Sequence, residues 1–240
     1  MVRVRWDLPW NARTVITSRD SVKNIIDTNL TKRGFQKDKH QPAQYGFGVI
    51  AKRVPANRRM YQVQRVWVGS SNVEIAQMLM DITAEDLLEP NMVEGAGLDL
   101  RQAKIHISTE WEPYEAVAGY AVSPIRLVRT DRQKSDLAGI TTFGPQFNDA
   151  LNKTMERRFG RKFQLQFIPD SAYVRLHGGK VAARMAIKVL ENGKVIAPEG
   201  VVLPFTLTGP PSDIRDAWFS GLGSGTAKGF GWWEMDDTWN

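Results

Sequence analysis

The order of secondary-structure elements in the first half of the sequence limits the possible folds more than any other feature. Apolar residues that alternate predict strands, and apolar residues that recur every three or four positions predict helices. The predicted elements are strand 2–6, helix 15–30, strand 45–54, strand 60–68, a helix from a Ser71–Glu74 capping-box pattern, and strand 98–107. This order is that of a ferredoxin-like (βαββαβ, RRM-like) domain, whose helices pack on one face of an antiparallel sheet.

The second half repeats this order approximately, without a literal sequence repeat. Its predicted elements are strand 116–128, helix 147–159, strands 163–168 and 173–176, a hairpin within 181–207, and a short helix from Ser212. We therefore predict an α+β fold of two tandem ferredoxin-like domains. They span residues 1–112 and 113–240, and the second carries a glycine-rich loop over 221–231.

Composition excludes several classes of protein. The chain of 240 residues has no cysteine, which excludes a disulfide scaffold, an iron–sulfur protein and a thiolate zinc site. Only three histidines are present, which argues against a zinc site, and we predict no metal site. No apolar run approaches the roughly 18 residues that span a bilayer, and the N-terminal residues do not read as a signal peptide. These features predict a cytoplasmic protein without membrane contact.

Charge is distributed unevenly along the chain. The net charge is +6 and the pI is near 9.6, which favours a polyanionic partner. Residues 31–65 contain nine basic residues and one acid, whereas residues 66–99 contain seven acids and no Lys or Arg. This segregation indicates one basic and one acidic face, although charge runs of this kind also occur on solvated surfaces without function.

The most specific local signal is the glycine-rich segment 219–231, Phe-Ser-Gly-Leu-Gly-Ser-Gly-Thr-Ala-Lys-Gly-Phe-Gly. Glycine lets backbone amides approach a phosphate closely. A P-loop is excluded because Lys228 is followed by Gly229, and a dinucleotide fingerprint is excluded because the segment follows a helix near the end of the chain. We therefore predict no nucleotide cofactor. Aromatic residues on both sides argue against a simple flexible linker.

This segment resembles the C-terminal glycine-rich loop of the RAMP superfamily of CRISPR-associated proteins, in particular its repeat-processing endoribonucleases. In that family a helix runs into Gly-x-Gly and then Gly-Phe-Gly, as at 221–223 and 229–231. Ser123-Pro124-Ile125 resembles the segment that opens the family's second domain, and 202–209 resembles its last strand. The arginine-rich composition also resembles divergent members of type IV CRISPR systems.

The resemblance implies a function and partners. These enzymes bind the CRISPR repeat RNA hairpin and cut precursor CRISPR RNA without metal. The ribose 2′-hydroxyl attacks the adjacent phosphate and leaves a 2′,3′-cyclic phosphate. The product guide RNA is retained, and other CRISPR effector subunits are further expected partners. A noncatalytic RAMP subunit that binds guide RNA remains open as the second hypothesis, and a small-molecule enzyme is a distant third.

Catalytic candidates follow from the resemblance and from the basic segment. His40 lies where the family commonly has its catalytic histidine, and Tyr45 and Lys52 follow closely enough to share the acid, base or charge-stabilising roles. His40 could equally be an exposed loop histidine. His106 is predicted to be structural, because it alternates with isoleucines on a strand, and His177 is predicted to lie in a turn.

The predicted RNA-binding residues are basic side chains in three clusters and the glycine-rich loop. They are Arg53, Arg58 and Arg59; Arg126, Arg129 and Arg132; Arg157, Arg158, Arg161 and Lys162; and Gly221, Gly223, Gly225, Lys228 and Gly229. Arg157 and Arg161, spaced i and i+4, are predicted to share a helical face that enters an RNA groove. The alternative is that this face is only solvated helix surface.

Overall fold

The computed structural model describes residues 1–9, 14–36, 42–55, 57–89, 98–128 and 138–235, with only the backbone for 57–59. Within these ranges the chain forms two large antiparallel sheets, each packed against its own helices, and two separate pairs of short strands. The mixed α+β fold of two ferredoxin-like sheets is therefore confirmed. The boundary near residue 112 stays a prediction.

The first sheet forms from the N-terminal elements. They are β1 (Val2–Asp7), β2 (Val15–Ile16), α1 (Asp20–Lys32), β3 (Tyr45–Val54), β4 (Asn57–Ser70), α2 (Val73–Met80) and β5 (Lys104–Ser108). β4 pairs with β3 on one side and with β1 and β2 on the other, and β5 pairs with β1. The order β3-β4-β1-β5 is that of a ferredoxin-like sheet.

The second sheet repeats this arrangement. Its elements are β6 (Ala116–Ala121), α3 (Pro145–Phe159), β7 (Gln166–Pro169), α4 (Ser171–Leu176), β8 (Ala182–Arg184), β9 (Lys188–Val189), β10 (Val195–Ile196), β11 (Glu199–Val201), β12 (Pro204–Thr208), α5 (Pro211–Ser220) and β13 (Trp233–Met235). Written in the same direction as the first sheet, its strand order is β7-β12-β6-β13, which corresponds to β3-β4-β1-β5. In the chain, two short antiparallel strand pairs, β8–β11 and β9–β10, come between α4 and β12.

Helix starts differ from the sequence prediction for identifiable reasons. Val15 and Ile16 pair with β4 as a strand, so α1 begins only at Asp20. Asn72, rather than Ser71, caps α2 by accepting a bond from the Ile75 amide at 3.1 Å. The amide of Ser71 is instead bonded to the Ser220 hydroxyl at 2.9 Å.

Two further elements were mispredicted. Residues 173–176 form the helix α4 instead of a strand, because the Asp170 carboxylate accepts from the Tyr173 amide at 2.8 Å and caps a helical turn. β13 was missed because it contains three residues and follows a segment that predicts only loop. It completes the second sheet by pairing with β6.

Each sheet buries its own apolar core against its helices. Val2, Val4 and Trp6 alternate on β1 and pack towards α1 and α2, so Arg3, Arg5 and Asp7 lie on the opposite face of that sheet. A second core surrounds Phe167, Phe205 and Trp233. The functional candidates lie on the face of the first sheet opposite α1 and α2, and around the glycine-rich loop.

Arg3 joins the two sheets. Its guanidinium lies 3.4 Å from the ring centroid of Trp218 and 4.1 Å from that of Trp232. It donates to the Trp233 carbonyl at 2.7 Å and pairs with Glu234 at 3.3 Å. Burial lowers the pKa of Arg3 to about 10, against the opposing effect of Glu234.

Close approach between the halves also requires glycine on β3. A Cβ at position 48 would lie 2.5 Å from Cγ of Trp232, well inside van der Waals contact. The absence of a side chain at Gly48 therefore lets the indole pack directly on the strand.

Candidate functional site

The glycine-rich loop is a buried connection rather than an open phosphate cradle. Gly221, Gly223 and Gly229 are buried, and Gly225 is half-buried. The amide of Leu222 donates to the Gly231 carbonyl at 2.8 Å. Other backbone bonds join loop residues to one another and to distant residues of the same chain. The burial of Gly221, Gly223 and Gly229 argues against the predicted direct contact with RNA, because their backbone packs inside the protein.

The surface of the loop is formed by residues between these glycines. Lys228 is exposed and Ser224 is half-buried. Ser224 is fixed by two bonds to the Arg126 carbonyl, from its amide at 2.8 Å and from its hydroxyl at 3.0 Å. The loop therefore presents Lys228 on a backbone of defined path, in a 3₁₀ turn over Thr226–Lys228.

Tyr45 stands beside this loop but is a core residue. Its ring is fully buried, and its hydroxyl donates to the carboxylate of Asp27 on α1, which also pairs with Lys23. Burial, together with the negative charge and hydrogen bond of Asp27, raises the pKa of Tyr45 well above its ordinary value. At neutral pH the phenol is therefore protonated and shielded from a substrate.

Tyr45 and Lys52 do not come together. They are seven residues apart on β3, and a strand rises about 3.3 Å per residue, so their backbones are about 23 Å apart. Lys52 is exposed near the far end of the strand. His40, the third predicted catalytic residue, lies outside the described residues.

The face of the first sheet opposite α1 and α2 gathers charged side chains that the sequence analysis did not select. Strand register places Asp7 between Arg65 and Lys104, and places Arg5 next to His106. We call these five residues, Arg5, Asp7, Arg65, Lys104 and His106, the basic sheet face. Alternation on β1 and β5 is the signal that could have revealed it, combined with the strand pairing that sequence does not show.

Asp7 is the centre of the basic sheet face. Its carboxylate pairs with Nε of Arg65, with Nε of Arg5 at 2.9 Å, and lies 3.4 Å from Nε2 of His106. The side chains of Arg5, Arg65 and His106 are 40%, 41% and 38% exposed. One carboxylate thus orients several donors while leaving a net positive, accessible surface suited to phosphate.

The predicted arginine clusters contain exposed, half-buried and undescribed side chains. Arg53 is exposed on β3, Arg126 is half-buried, and Arg157 is exposed on α3. Arg58 and Arg59 lie on β4, where only their backbone is described, and Arg129 and Arg132 lie outside the described residues. These positions keep Arg53 and Arg157 as candidates for phosphate contact.

Arg157 and Arg161 do not share a helical face, which corrects the sequence prediction. Gly160 adopts a left-handed conformation with φ of 68° and ends α3 at Phe159. Arg161 lies beyond the helix and pairs with Asp213 and Asp216 on α5. Its neighbour Lys162 is exposed.

Arg158 also departs from its predicted role. The side chain is 5% exposed, and its guanidinium donates to the carbonyls of Ser220 and Gly221, both at 2.8 Å. It therefore holds the loop from inside the protein and does not contact RNA.

In the described ranges, no cluster of three or more His, Asp or Glu residues is placed to hold a metal ion. No helix there is long and apolar enough to cross a membrane.

Two ferredoxin-like sheets joined through a glycine-rich loop define the architecture of a RAMP protein. The family model for the C-terminal part of CRISPR associated protein Cas6 matches residues 111–235, more than half of the chain. The chain belongs to the Cas6 family. No curated protein sequence matches it.

Solved structures show the same fold over nearly the whole chain. A Cas6-related protein of Pyrococcus furiosus has a TM-score of 0.66 at 14% identity, covering 99% of each chain. A RAMP protein described as binding different RNA substrates has a TM-score of 0.68 at 16% identity, covering 99% of this chain and 100% of its own. A CRISPR associated protein Cas6 has a TM-score of 0.64 at 16% identity, covering 98% of this chain and 99% of its own.

Proposed function

We propose that this protein binds CRISPR repeat RNA and cuts precursor CRISPR RNA into guide RNA. The observation that carries the proposal is the basic sheet face, an accessible cluster of donors around Asp7 in a chain of the Cas6 family. Such a surface binds phosphates through charge and hydrogen bonds, with an affinity that falls as salt rises. The solved RAMP protein described as binding different RNA substrates supports an RNA partner.

The proposed chemistry is attack of a ribose 2′-hydroxyl on the adjacent phosphorus. The bond from O2′ to phosphorus forms, the bond from phosphorus to O5′ breaks, and the products end in a 2′,3′-cyclic phosphate and a 5′-hydroxyl. His40 is the proposed proton carrier, because a histidine accepts and donates protons near neutral pH. Lys228 on the glycine-rich loop and the arginines of the basic sheet face supply positive charge to the phosphate.

The buried position of Tyr45 and its distance from Lys52 favour a second candidate function. These two predicted catalytic residues therefore do not act together at one phosphodiester. A noncatalytic RAMP subunit would need only the RNA-binding surface. It would hold guide RNA within a CRISPR effector complex, and product retention by the enzyme would use the same surface.

The two functions are separated by incubating the protein in EDTA with labelled repeat RNA from the host's CRISPR array. A matched RNA carries one 2′-deoxy nucleotide at the mapped cut site. Cleavage of the unmodified RNA alone supports 2′-hydroxyl attack without metal. Tight binding with neither RNA cut identifies the noncatalytic subunit, and absence of binding to either RNA refutes both functions.

A further inference from the structure

Arg158 differs from every charged residue proposed above in facing the protein interior. It sits near the end of α3 beside the exposed Arg157, yet its own guanidinium is buried. Its Nη1 donates to the Gly221 carbonyl at 2.8 Å and lies 3.4 Å from that of Gly223, and its Nη2 donates to the Ser220 carbonyl at 2.8 Å. One side chain thus contacts three backbone carbonyls within four residues at the start of the loop, those of Ser220, Gly221 and Gly223.

Two of these acceptors, the carbonyls of Ser220 and of the C-cap residue Gly221, are ones that a helix leaves unpaired at its C-terminal end. α5 ends at Ser220, where a cation is favoured by the helix dipole and by the orphan carbonyl groups. An apolar side chain of similar size would fill the space but would leave these carbonyls buried without a donor. Burial lowers the pKa of Arg158 to about 10, although nearby Asp216 opposes this shift, so the side chain remains charged at neutral pH.

The residues that Arg158 contacts lead directly into the part of the loop that carries Lys228. After Gly223 the chain turns, Ser224 binds the Arg126 carbonyl, and the 3₁₀ turn places Lys228 at the surface. Lys228 makes its own backbone bond to the Gly225 carbonyl at 2.8 Å, inside the same loop. The guanidinium of Arg158 thus binds the start of the loop, and the middle of the loop exposes Lys228 to solvent.

We propose that Arg158 is a positioning residue that acts on RNA through Lys228, by fixing the glycine-rich loop from inside the protein. The proposal rests on the proposed RNA-binding function. Arg158 touches no RNA itself. Its effect is to hold the loop in the one path that presents Lys228 to a phosphate.

A double-mutant cycle with Lys228 tests this coupling. Binding of labelled repeat RNA is measured from about 50 to 300 mM salt for the parent, Arg158→Met, Lys228→Ala and the double variant. We expect each single change to weaken binding about fivefold to tenfold and to reduce the salt slope by about one phosphate contact. In the double variant we expect little further loss, because Lys228 is already displaced when Arg158 is absent.

Arg157→Met provides the matched control. It removes the same group from the neighbouring, exposed position, so its effect on binding should add to that of Lys228→Ala. A general loss of stability does not produce this difference, because the fraction of active protein is determined separately by titration with excess RNA. Additive effects of Arg158→Met and Lys228→Ala overturn the proposal, and so does unchanged binding by Lys228→Ala.

Arg158→Lys keeps the test decisive if Arg158→Met does not fold. Lysine retains the charge but has no planar fork to bind several carbonyls, so we expect binding between that of the parent and Lys228→Ala. Binding equal to the parent refutes a requirement for the fork. Failure of the parent to bind repeat RNA is a different result, which refutes the proposed function itself.

Discussion

The hydroxyl of Thr226 donates a hydrogen bond to the backbone carbonyl of Tyr45 at 2.9 Å, although 181 positions separate the two residues. Thr226 opens the 3₁₀ turn of the glycine-rich loop, and Tyr45 begins β3. The loop is therefore attached to the first sheet at the point where the chain enters β3 after the segment that contains His40. Its position depends on both halves of the protein.

Replacing Thr226 tests this attachment. Thr226→Val keeps the shape of the side chain but leaves a buried carbonyl without its donor, which we expect to cost about 1–3 kcal/mol in the free energy of unfolding. Thr226→Ser retains the hydroxyl and should lose less. Urea denaturation measures both, and equal losses would show that the hydroxyl contributes nothing.

Arg3 should contribute more to stability than any cation of the basic sheet face. Arg3→Ala removes a buried guanidinium from between Trp218 and Trp232 and leaves Glu234 without its ion-pair partner. We expect a loss of about 3–5 kcal/mol. Arg5→Ala, next along the same strand face but more exposed, should cost less than about 1 kcal/mol. Thermal unfolding compares the two, and similar losses would contradict the assignment of Arg3 as the joining residue.

The basic sheet face should contribute to RNA affinity. Arg65→Ala is expected to weaken binding of repeat RNA and to lower the salt slope by about one phosphate contact. Arg101→Ala is the matched control, because Arg101 is also a surface arginine paired with one carboxylate, that of Asp99. Binding is measured by filter retention across a salt series. An equal effect of the two changes would show that the face has no special role.

Catalysis should depend on His40 and be nearly insensitive to the hydroxyl of Tyr45. His40→Ala is expected to slow cleavage at least about 100-fold if His40 carries a proton. Tyr45→Phe should slow it less than tenfold, because the buried phenol stays protonated and does not reach RNA. Single-turnover rates at saturating protein measure both. A large loss in Tyr45→Phe would restore Tyr45 to the reacting groups.

Acid should remove a stabilising contribution of Asp86. Burial acts to raise the pKa of Asp86, but hydrogen bonds from Thr83 and Arg33 outweigh it and hold that pKa below its ordinary value of 3.8. A depressed pKa in the folded state stabilises the protein above pH 3.8, and this stabilisation is lost as the pH falls through the folded-state pKa.

The corresponding variant is Asp86→Asn. It should be less stable than the parent at pH 7, and the difference in unfolding free energy should shrink as the pH falls below about 4. Glu85→Gln, on an exposed position of the same turn, should change stability less at every pH. A difference between parent and Asp86→Asn that is independent of pH would contradict this account.

The sequence predicted what depends on local pattern. Alternation on β1 and helical spacing in α1 identified elements whose apolar faces are set by neighbouring residues. The glycine-rich segment and its resemblance identified the family that residues 111–235 match. These signals depend on residues close in sequence, so they can be recognised without knowledge of tertiary contacts.

What failed depends on contacts between distant residues. Arg157 and Arg158 look equivalent in sequence, but only Arg158 faces the end of α5. His106 was predicted to be structural, yet strand pairing places it beside Asp7 with a side chain 38% exposed. Local patterns do not contain the register that brings β1, β4 and β5 together, so the basic sheet face could not be found from them.

The joining role of Arg3 imposes an order on folding during synthesis. Its bond partner Trp233 is 230 positions later, which a ribosome adding about 5–20 residues per second reaches only after roughly 10 to 50 s. Until then the guanidinium of Arg3 has neither Trp232 nor Glu234 to bind. The contacts that the second half makes with this face of the first sheet are therefore absent until synthesis is nearly complete, and such exposed surface on a partly folded chain favours aggregation.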